Sequence, residues 1–260
     1  MGQRWRVTGA AVPGLQHVRA TTDCQDAFAV RAGDDRLVIA VADGGSSAAL
    51  AAVGAHAAAA LAAETAWTRL DPTPPDGPAW AAWLDGVLST VLGAFAGLAR
   101  DASTAILGRP DPAALGTTLT LVVLAEPWVA ALAVGDGFAV ARRGGHLDLL
   151  LAPDEPHPPD PGADLGRTVF VTSGNAHGRA RTLVARLPGL DGLAVSTDGL
   201  SEVGLTYAGS VAQRPHPPFF DPVFAKATGD DETLLVRLLA SERISRLTGD
   251  DKTLVVAVAQ

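Results

Sequence analysis

The chain has 260 residues, of which 48% are hydrophobic and 18% charged, a balance that excludes a disordered or fibrous polymer and fits one large domain spanning 1–260. Its net charge of −8 gives no general electrostatic basis for binding nucleic acid or an anionic membrane. One cysteine, Cys24, excludes an intramolecular disulfide and reads as a small structural hydrophobe. The start, Met1 to Arg6, has no signal-like apolar stretch and no run is long enough to span a bilayer, so a cytoplasmic location without membrane contact is expected.

In chain order, Arg36 to Ala42 is a short β-branched run that reads as a buried strand ending at Asp43. The Ala-rich stretch from Ser46 to Arg69 reads as a helix with Ser46 or Ser47 as N-cap, closed by the Pro-rich segment 71–78. A second helix is expected from about Ala79 to Ala105, where Gly86, Gly93 and Gly97 either weaken it or mark close helix packing. Strands then follow at Gly116 to Ala125, Pro127 to Val134 and Phe138 to Arg143. Gly135-Asp136-Gly137 suits a tight hairpin between the last two, and Gly144-Gly145 suits the next.

The segment 153–166, dense in Pro and Asp, reads as a surface flap, with strand pattern resuming at Arg167 to Thr172. Leu193 to Thr197 is a strand ending at Asp198, Asp221 to Ala240 looks helical in its second half, and Leu254 to Val258 closes the chain as a strand. Two long helices together with successive hairpins, and no regular βαβ alternation, point to an α+β layered sandwich of antiparallel sheets.

Acids recur where these strands end: Asp43-Gly44-Gly45, Gly135-Asp136-Gly137, Thr197-Asp198-Gly199 and Asp250-Asp251-Lys252-Thr253. A strand end holds a carboxylate on a rigid support, and a following Gly lets backbone approach what the acid binds. Taken singly, each Asp-Gly is a turn pair. Together they suit Mg²⁺ or Mn²⁺, which take oxygen ligands and in pairs assist phosphoryl hydrolysis. Zinc is not indicated, because the six histidines show neither HExxH nor paired-Cys spacing; His56, His146, His157, His177 and His216 are assigned no catalysis.

In order along the chain, Cys24-Gln25-Asp26-Ala27, Val41-Ala42-Asp43-Gly44, Gly116-Thr117-Thr118, Gly135-Asp136-Gly137, Ser196-Thr197-Asp198-Gly199 and Asp250-Asp251-Lys252-Thr253 resemble the motifs of the metal-dependent type 2C protein Ser/Thr phosphatases, the PPM family. The resemblance implies a four-layer α-β-β-α sandwich with two central antiparallel sheets, and two Mn²⁺ or Mg²⁺ ions, or three, in the cleft at their edges. It implies Asp43 as the bridging ligand, assisted by the Gly44 carbonyl, with Asp198 and Asp250 on one metal and Asp26 serving the second. Asp136 with Asp198 would hold a third ion, as in bacterial members. The catalytic acids would be Asp43, Asp198 and Asp250, acting through a metal-bridging hydroxide on phosphoserine and phosphothreonine. Arg19, with His17 beside it, is the nearest candidate for phosphate binding.

The chain departs from the family pattern at Gln25, where many members carry an acid, and at Gly45, where many carry His. A second string, Gly229-Asp230-Asp231-Glu232-Thr233, nearly repeats the closing motif and reads as a helix cap, so Asp250 is preferred as ligand. The composition looks like that of a GC-rich bacterial genome. The resemblance therefore implies a bacterial phosphatase acting on phosphorylated proteins, a partner Ser/Thr kinase among them. The alternative is a non-catalytic PPM-fold module that binds phosphoproteins or regulators.

Overall fold

The fold is described by a computed structural model for residues 4–154, 168–227 and 233–260. Its strands, in chain order, are β1 (Trp5–Val12), β2 (Asp26–Ala32), β3 (Arg36–Asp43), β4 (Leu119–Ala125), β5 (Trp128–Val134), β6 (Phe138–Arg143), β7 (His146–Leu151), β8 (Arg181–Arg186), β9 (Gly192–Ser196), β10 (Leu205–Ala208), β11 (Val211–Pro215) and β12 (Lys252–Ala259). The helices are α1 (Leu15–Ala20), α2 (Ala51–Arg69), α3 (Gly77–Leu107), α4 (Ala176–Arg179), α5 (Ser201–Gly204), α6 (Pro217–Lys226), α7 (Thr233–Leu239) and α8 (Glu242–Ser245).

Two five-stranded sheets, β2-β3-β4-β5-β8 and β1-β12-β9-β6-β7, carry the fold, and every ladder in them is antiparallel. The period-2 alternation of a strand sorts side chains onto two faces. On β3, Leu37, Ile39 and Val41 enter the core shared with β6, β9 and β12, whereas Val38, Ala40 and Ala42 pack beneath α2 and α3. On β12, Val255 and Ala257 face the shared core, and Leu254, Val256 and Val258 face Phe220, Val223 and Phe224 of α6 and Leu235 and Leu239 of α7. Both faces are covered, so these strands read in sequence as unbroken apolar runs.

Helix α2 approaches β2 and β3 closely because its inner face is almost entirely alanine, including Ala55, Ala58, Ala59, Ala62, Ala63 and Ala66. It begins at Ala51, five residues later than expected, with Leu50 as N-cap in place of Ser46 or Ser47. The reason is that residues 45–50 are held elsewhere: Gly45 N–H donates to the Gly116 carbonyl and Leu50 N–H to that of Ala114. Helix α3 starts at Gly77, capped by Asp76, whose carboxylate accepts from Ala79 N–H at 2.9 Å. A side chain at Gly93 or Gly97 would meet nothing within 4 Å, so these glycines do not mark close packing in this fold. By length and composition α3 is long and apolar enough to cross a membrane, contrary to the expectation that no run is, although Trp80, Leu84, Val87, Val91 and Phe95 pack into the core.

Two further expectations are corrected. Gly135-Asp136-Gly137 does not close a hairpin, because β5 pairs with β4 and β8 while β6 pairs with β7 and β9; the three residues carry the chain from one sheet to the other. The Gly144-Gly145 hairpin does form, with Arg143 opposite His146. Residues 168–172 form no strand; they are pinned by a bond from Val171 N–H to the Thr117 carbonyl, 2.8 Å, and by a turn in which Ser173 N–H donates to the Phe170 carbonyl. Between 217 and 239 the helices α6 and α7 flank residues 228–232, so the Asp230 and Asp231 cap lies outside the described residues, as do Arg167, His157 and most of the flap.

Candidate metal centre

Pairing register brings the acids together. Asp26, the first residue of β2, lies opposite Asp43, the last of β3. Ser196 ends β9 opposite both Phe138 and Leu254, so Asp198 emerges beside the crossing that holds Asp136 and beside the entry to β12 that holds Asp250 and Asp251.

The Gly-Thr-Thr segment fixes Asp43 through its backbone. Thr118 N–H and Thr117 Oγ1 both donate to the Asp43 carbonyl at 2.8 Å, and Asp43 N–H donates to Thr118 Oγ1 at 3.0 Å. With both main-chain groups satisfied, the backbone that carries the Asp43 carboxyl is held in place. Gly44 must be glycine, since a Cβ there would lie 2.7 Å from the Gln25 carbonyl and 2.8 Å from that of Ala51. Thr197 joins two motifs: its Oγ1 donates to Asp26 Oδ2 at 2.8 Å and accepts from Thr253 N–H at 3.2 Å. A Cβ on Gly199 would overlap the Asp251 carbonyl oxygen, so the β9 and β12 ends meet backbone to backbone.

Carboxylate oxygens of Asp43, Asp136 and Asp198 all lie within 4.8 Å of one another, all half-buried. Burial and crowding raise their pKa values. Asp43 is pushed up to about 11, first by burial and then by Asp26 and Asp198. Asp198 is raised to about 8 by burial, then by Asp136 and Asp250. Asp26 is raised to about 6 by burial, moderated by hydrogen bonds from Asp43 and Thr197. Asp136 is raised by burial, against the pull of the Thr168 hydroxyl and Arg181. Like charges held this closely cannot all ionise without a cation among them.

Asp250 is exposed at the rim, outside the three-acid cluster, yet near enough to raise both Asp43 and Asp198. Its Oδ1 accepts from Asp251 N–H at 2.9 Å. Asp251 is a fastener: Oδ1 accepts from Gly14 N–H at 2.6 Å and meets His17 Nδ1 at 2.7 Å, and Oδ2 accepts from Gln25 N–H at 2.6 Å. His17 is thereby held on α1 against Asp251, and Arg19 is exposed on the same helix. Burial pushes the Cys24 thiol up, ahead of Asp26 and Asp251, which agrees with a structural cysteine.

Three features had not been read from the sequence. Arg181 at the start of β8 donates to the Gly135 and Gly137 carbonyls at 2.5 and 3.2 Å and so braces the Asp136 crossing. Phe170 occupies the room beside Gly45: a Cβ at Gly45 would stand 2.5 Å from its Cζ. Lys252, inside the closing motif, is fully buried. Only the Lys252 signal was available beforehand, as a charged residue among apolar strand positions.

Two antiparallel sheets whose strand ends bring together three carboxylates able to hold one metal ion define the class of fold. The family model for protein phosphatase 2C matches residues 13–240, and the chain belongs to that family. Among solved structures it is similar to the serine/threonine phosphatase Stp1 from Staphylococcus aureus, at 15% identity and a TM-score of 0.58 over 100% of this chain and 97% of that one. It is also similar to PppA, a key regulatory component of the T6SS in Pseudomonas aeruginosa, at 19% identity and a TM-score of 0.57 over 99% and 98%. RsbX in complex with magnesium matches at 12% identity and a TM-score of 0.52 over 100% and 98%. At these identities the likeness shows the fold alone. Comparison with curated proteins gives no significant match.

Proposed function

We propose that the protein is a metal-dependent phosphatase that hydrolyses phosphoserine and phosphothreonine in protein substrates. The observation that carries this reading is the convergence of Asp43, Asp136 and Asp198 with carboxylates too crowded to ionise together. The residues fit a hard divalent cation. Asp136 Oδ1 is buried with no hydrogen-bond partner, and the cluster, once deprotonated, offers acceptor oxygens only. The three stacked cores support the α-β-β-α layering that places such a cleft at the sheet edges.

Asp43, Asp136 and Asp198 would hold Mn²⁺ or Mg²⁺, with Asp26, Asp250 and the Gly44 carbonyl completing the ligand set that family resemblance assigns. The chemistry such ions supply is a lowered pKa for water and neutralisation of phosphoryl charge. The chain's own part is to aim the acids. Thr117 and Thr118 hold Asp43, Thr197 holds Asp26, Arg181 holds the Asp136 loop, and Asp251 ties α1 and Gln25 to the same edge. Phe170 keeps the position beside Asp43-Gly44 apolar, so the leaving group meets no side chain from residue 45 there. Phosphoproteins, including a partner kinase, are the substrate class of this reading, and the cytoplasm is its location.

Mn²⁺ should release phosphate from a phosphothreonine peptide and from an aryl phosphate, and EDTA should reduce both rates to background. Phosphate release measured by malachite green decides it. Tight Mn²⁺ binding without turnover would instead favour a non-catalytic module that binds phosphoproteins or regulators.

A further inference from the structure

We infer that Lys252 is a resident positive charge of the acidic cleft, one that holds the metal-free site together and tempers its affinity for divalent cations. The inference rests on reading the cleft as a cation site. Lys252 is 0% exposed, beside Asp26 and Asp251 at 3% each. Lysine is almost never buried so completely unless it is paired; here the ammonium bonds a backbone carbonyl, and its charge reaches the acids without a direct ion pair among the described residues.

Its place follows from the register. Lys252 opens β12 opposite Val12, the last residue of β1, and the chain turns directly afterwards at Gly14, where a Cβ would collide with Gly249 and Asp250. The ammonium is thus enclosed between the β1 turn and the closing motif. Nζ donates to the Asp250 carbonyl at 3.1 Å. Burial opposes its charged form, and Asp251, Cys24, Asp250 and Asp26, in that order, favour it.

Of these, Asp251 has both oxygens engaged by Gly14, His17 and Gln25, and Asp26 has one engaged by Thr197. Those bonds position the acids but, apart from the His17 contact, add no counter-charge. Lys252 supplies one from inside the fold. A fixed charge in a poorly screened interior acts on every neighbour within several ångströms. It attracts the carboxylates when no metal is present, and it repels any cation that enters between them.

Calorimetric titration with Mn²⁺ and thermal melts with and without Mn²⁺, all at one pH, test this on the full chain. Lys252→Gln retains a donor for the Asp250 carbonyl and removes the charge; Lys252→Arg retains the charge. The Gln variant should bind Mn²⁺ about tenfold more tightly, within the range usual for coupled sites. It should also melt lower than wild type in EDTA and regain most of that deficit with Mn²⁺, and the Arg variant should keep wild-type affinity. A Gln variant that folds only with Mn²⁺ supports the inference in stronger form. Equal affinity in wild type and the Gln variant, or a melting deficit unchanged by Mn²⁺, or a Gln variant unfolded in both conditions, overturns it. No Mn²⁺ binding by wild type overturns the reading of the cleft as well.

Discussion

Asp43→Asn is expected to lower Mn²⁺-dependent phosphate release at least on the order of a thousandfold, while leaving the metal-free protein folded and about as heat-stable as wild type. The two halves have one cause. In the metal-free fold the Asp43 carboxyl is pushed up to about 11 by burial and by Asp26 and Asp198, so it is neutral at pH 7. An amide of the same shape then replaces a protonated acid, and Thr117 and Thr118 still hold the backbone. With a cation present the charged form is needed, because ligating carboxylates must be deprotonated. A thousandfold corresponds to about 4 kcal/mol of transition-state stabilisation. Steady-state kinetics alongside melts in EDTA check both halves. Turnover within tenfold of wild type would remove Asp43 from the centre.

The metal-free protein is expected to lose heat stability as pH rises from about 4 to 9, and saturating Mn²⁺ should abolish or reverse that trend. In the unfolded chain Asp26, Asp43 and Asp198 titrate near the ordinary value of about 3.9. In the fold they lie at about 6, 11 and 8. Each folded pKa is raised, so above about pH 4 the folded state binds more protons than the unfolded one, and stability falls as pH rises. Each proton so retained contributes a slope of about 1.4 kcal/mol per pH unit. Asp26 drops out above about pH 6 and Asp198 above about pH 8, so the decline is steepest between pH 4 and 6 and persists longest through Asp43. Calorimetric melts from pH 5 to 9 in EDTA and in Mn²⁺ give the two slopes. Parallel slopes would show that the cation does not meet these acids.

The parts of this architecture legible in the sequence are those whose signal is local. Strand β3 ends in Asp43 and begins at Arg36 as its β-branched run required, and β9 and β12 followed from the same pattern. Strand β1 was not seen. It lies at the edge of its sheet with mostly half-buried residues, so Trp5 to Val12 carries neither a continuous apolar run nor a strict alternation. The Gly135-Asp136-Gly137 crossing was misread for a different reason: Gly135 has the positive φ of a hairpin glycine, 97°, and only the pairing of β5 and β6 with different partners distinguishes a sheet change from a turn.

The same division runs through the site. Asp26, Asp43, Asp136, Asp198 and Asp250 stand out in the sequence because each sits in a short motif, and the fold brings Asp43, Asp136 and Asp198 together, sets Asp26 opposite Asp43 and leaves Asp250 exposed. The helix cap was misplaced because the hydrogen bonds that hold residues 45–50 come from Ala114 and Gly116, more than sixty positions on. Phe170 could not be anticipated at all, since nothing in the order of residues says that its ring stands beside Gly45. The room left at Gly45 is filled from a distant part of the chain, and only the fold shows by what.

On this reading Asp43, Asp136 and Asp198 form a divalent-cation centre. Crystals grown with Mn²⁺ and measured at a wavelength sensitive to manganese test it most directly. Anomalous density within about 2.0 to 2.3 Å of Asp43 and Asp198 oxygens, lost in crystals of Asp43→Asn, is the result expected for hard oxygen ligation. A cleft without anomalous density at saturating Mn²⁺ would contradict it.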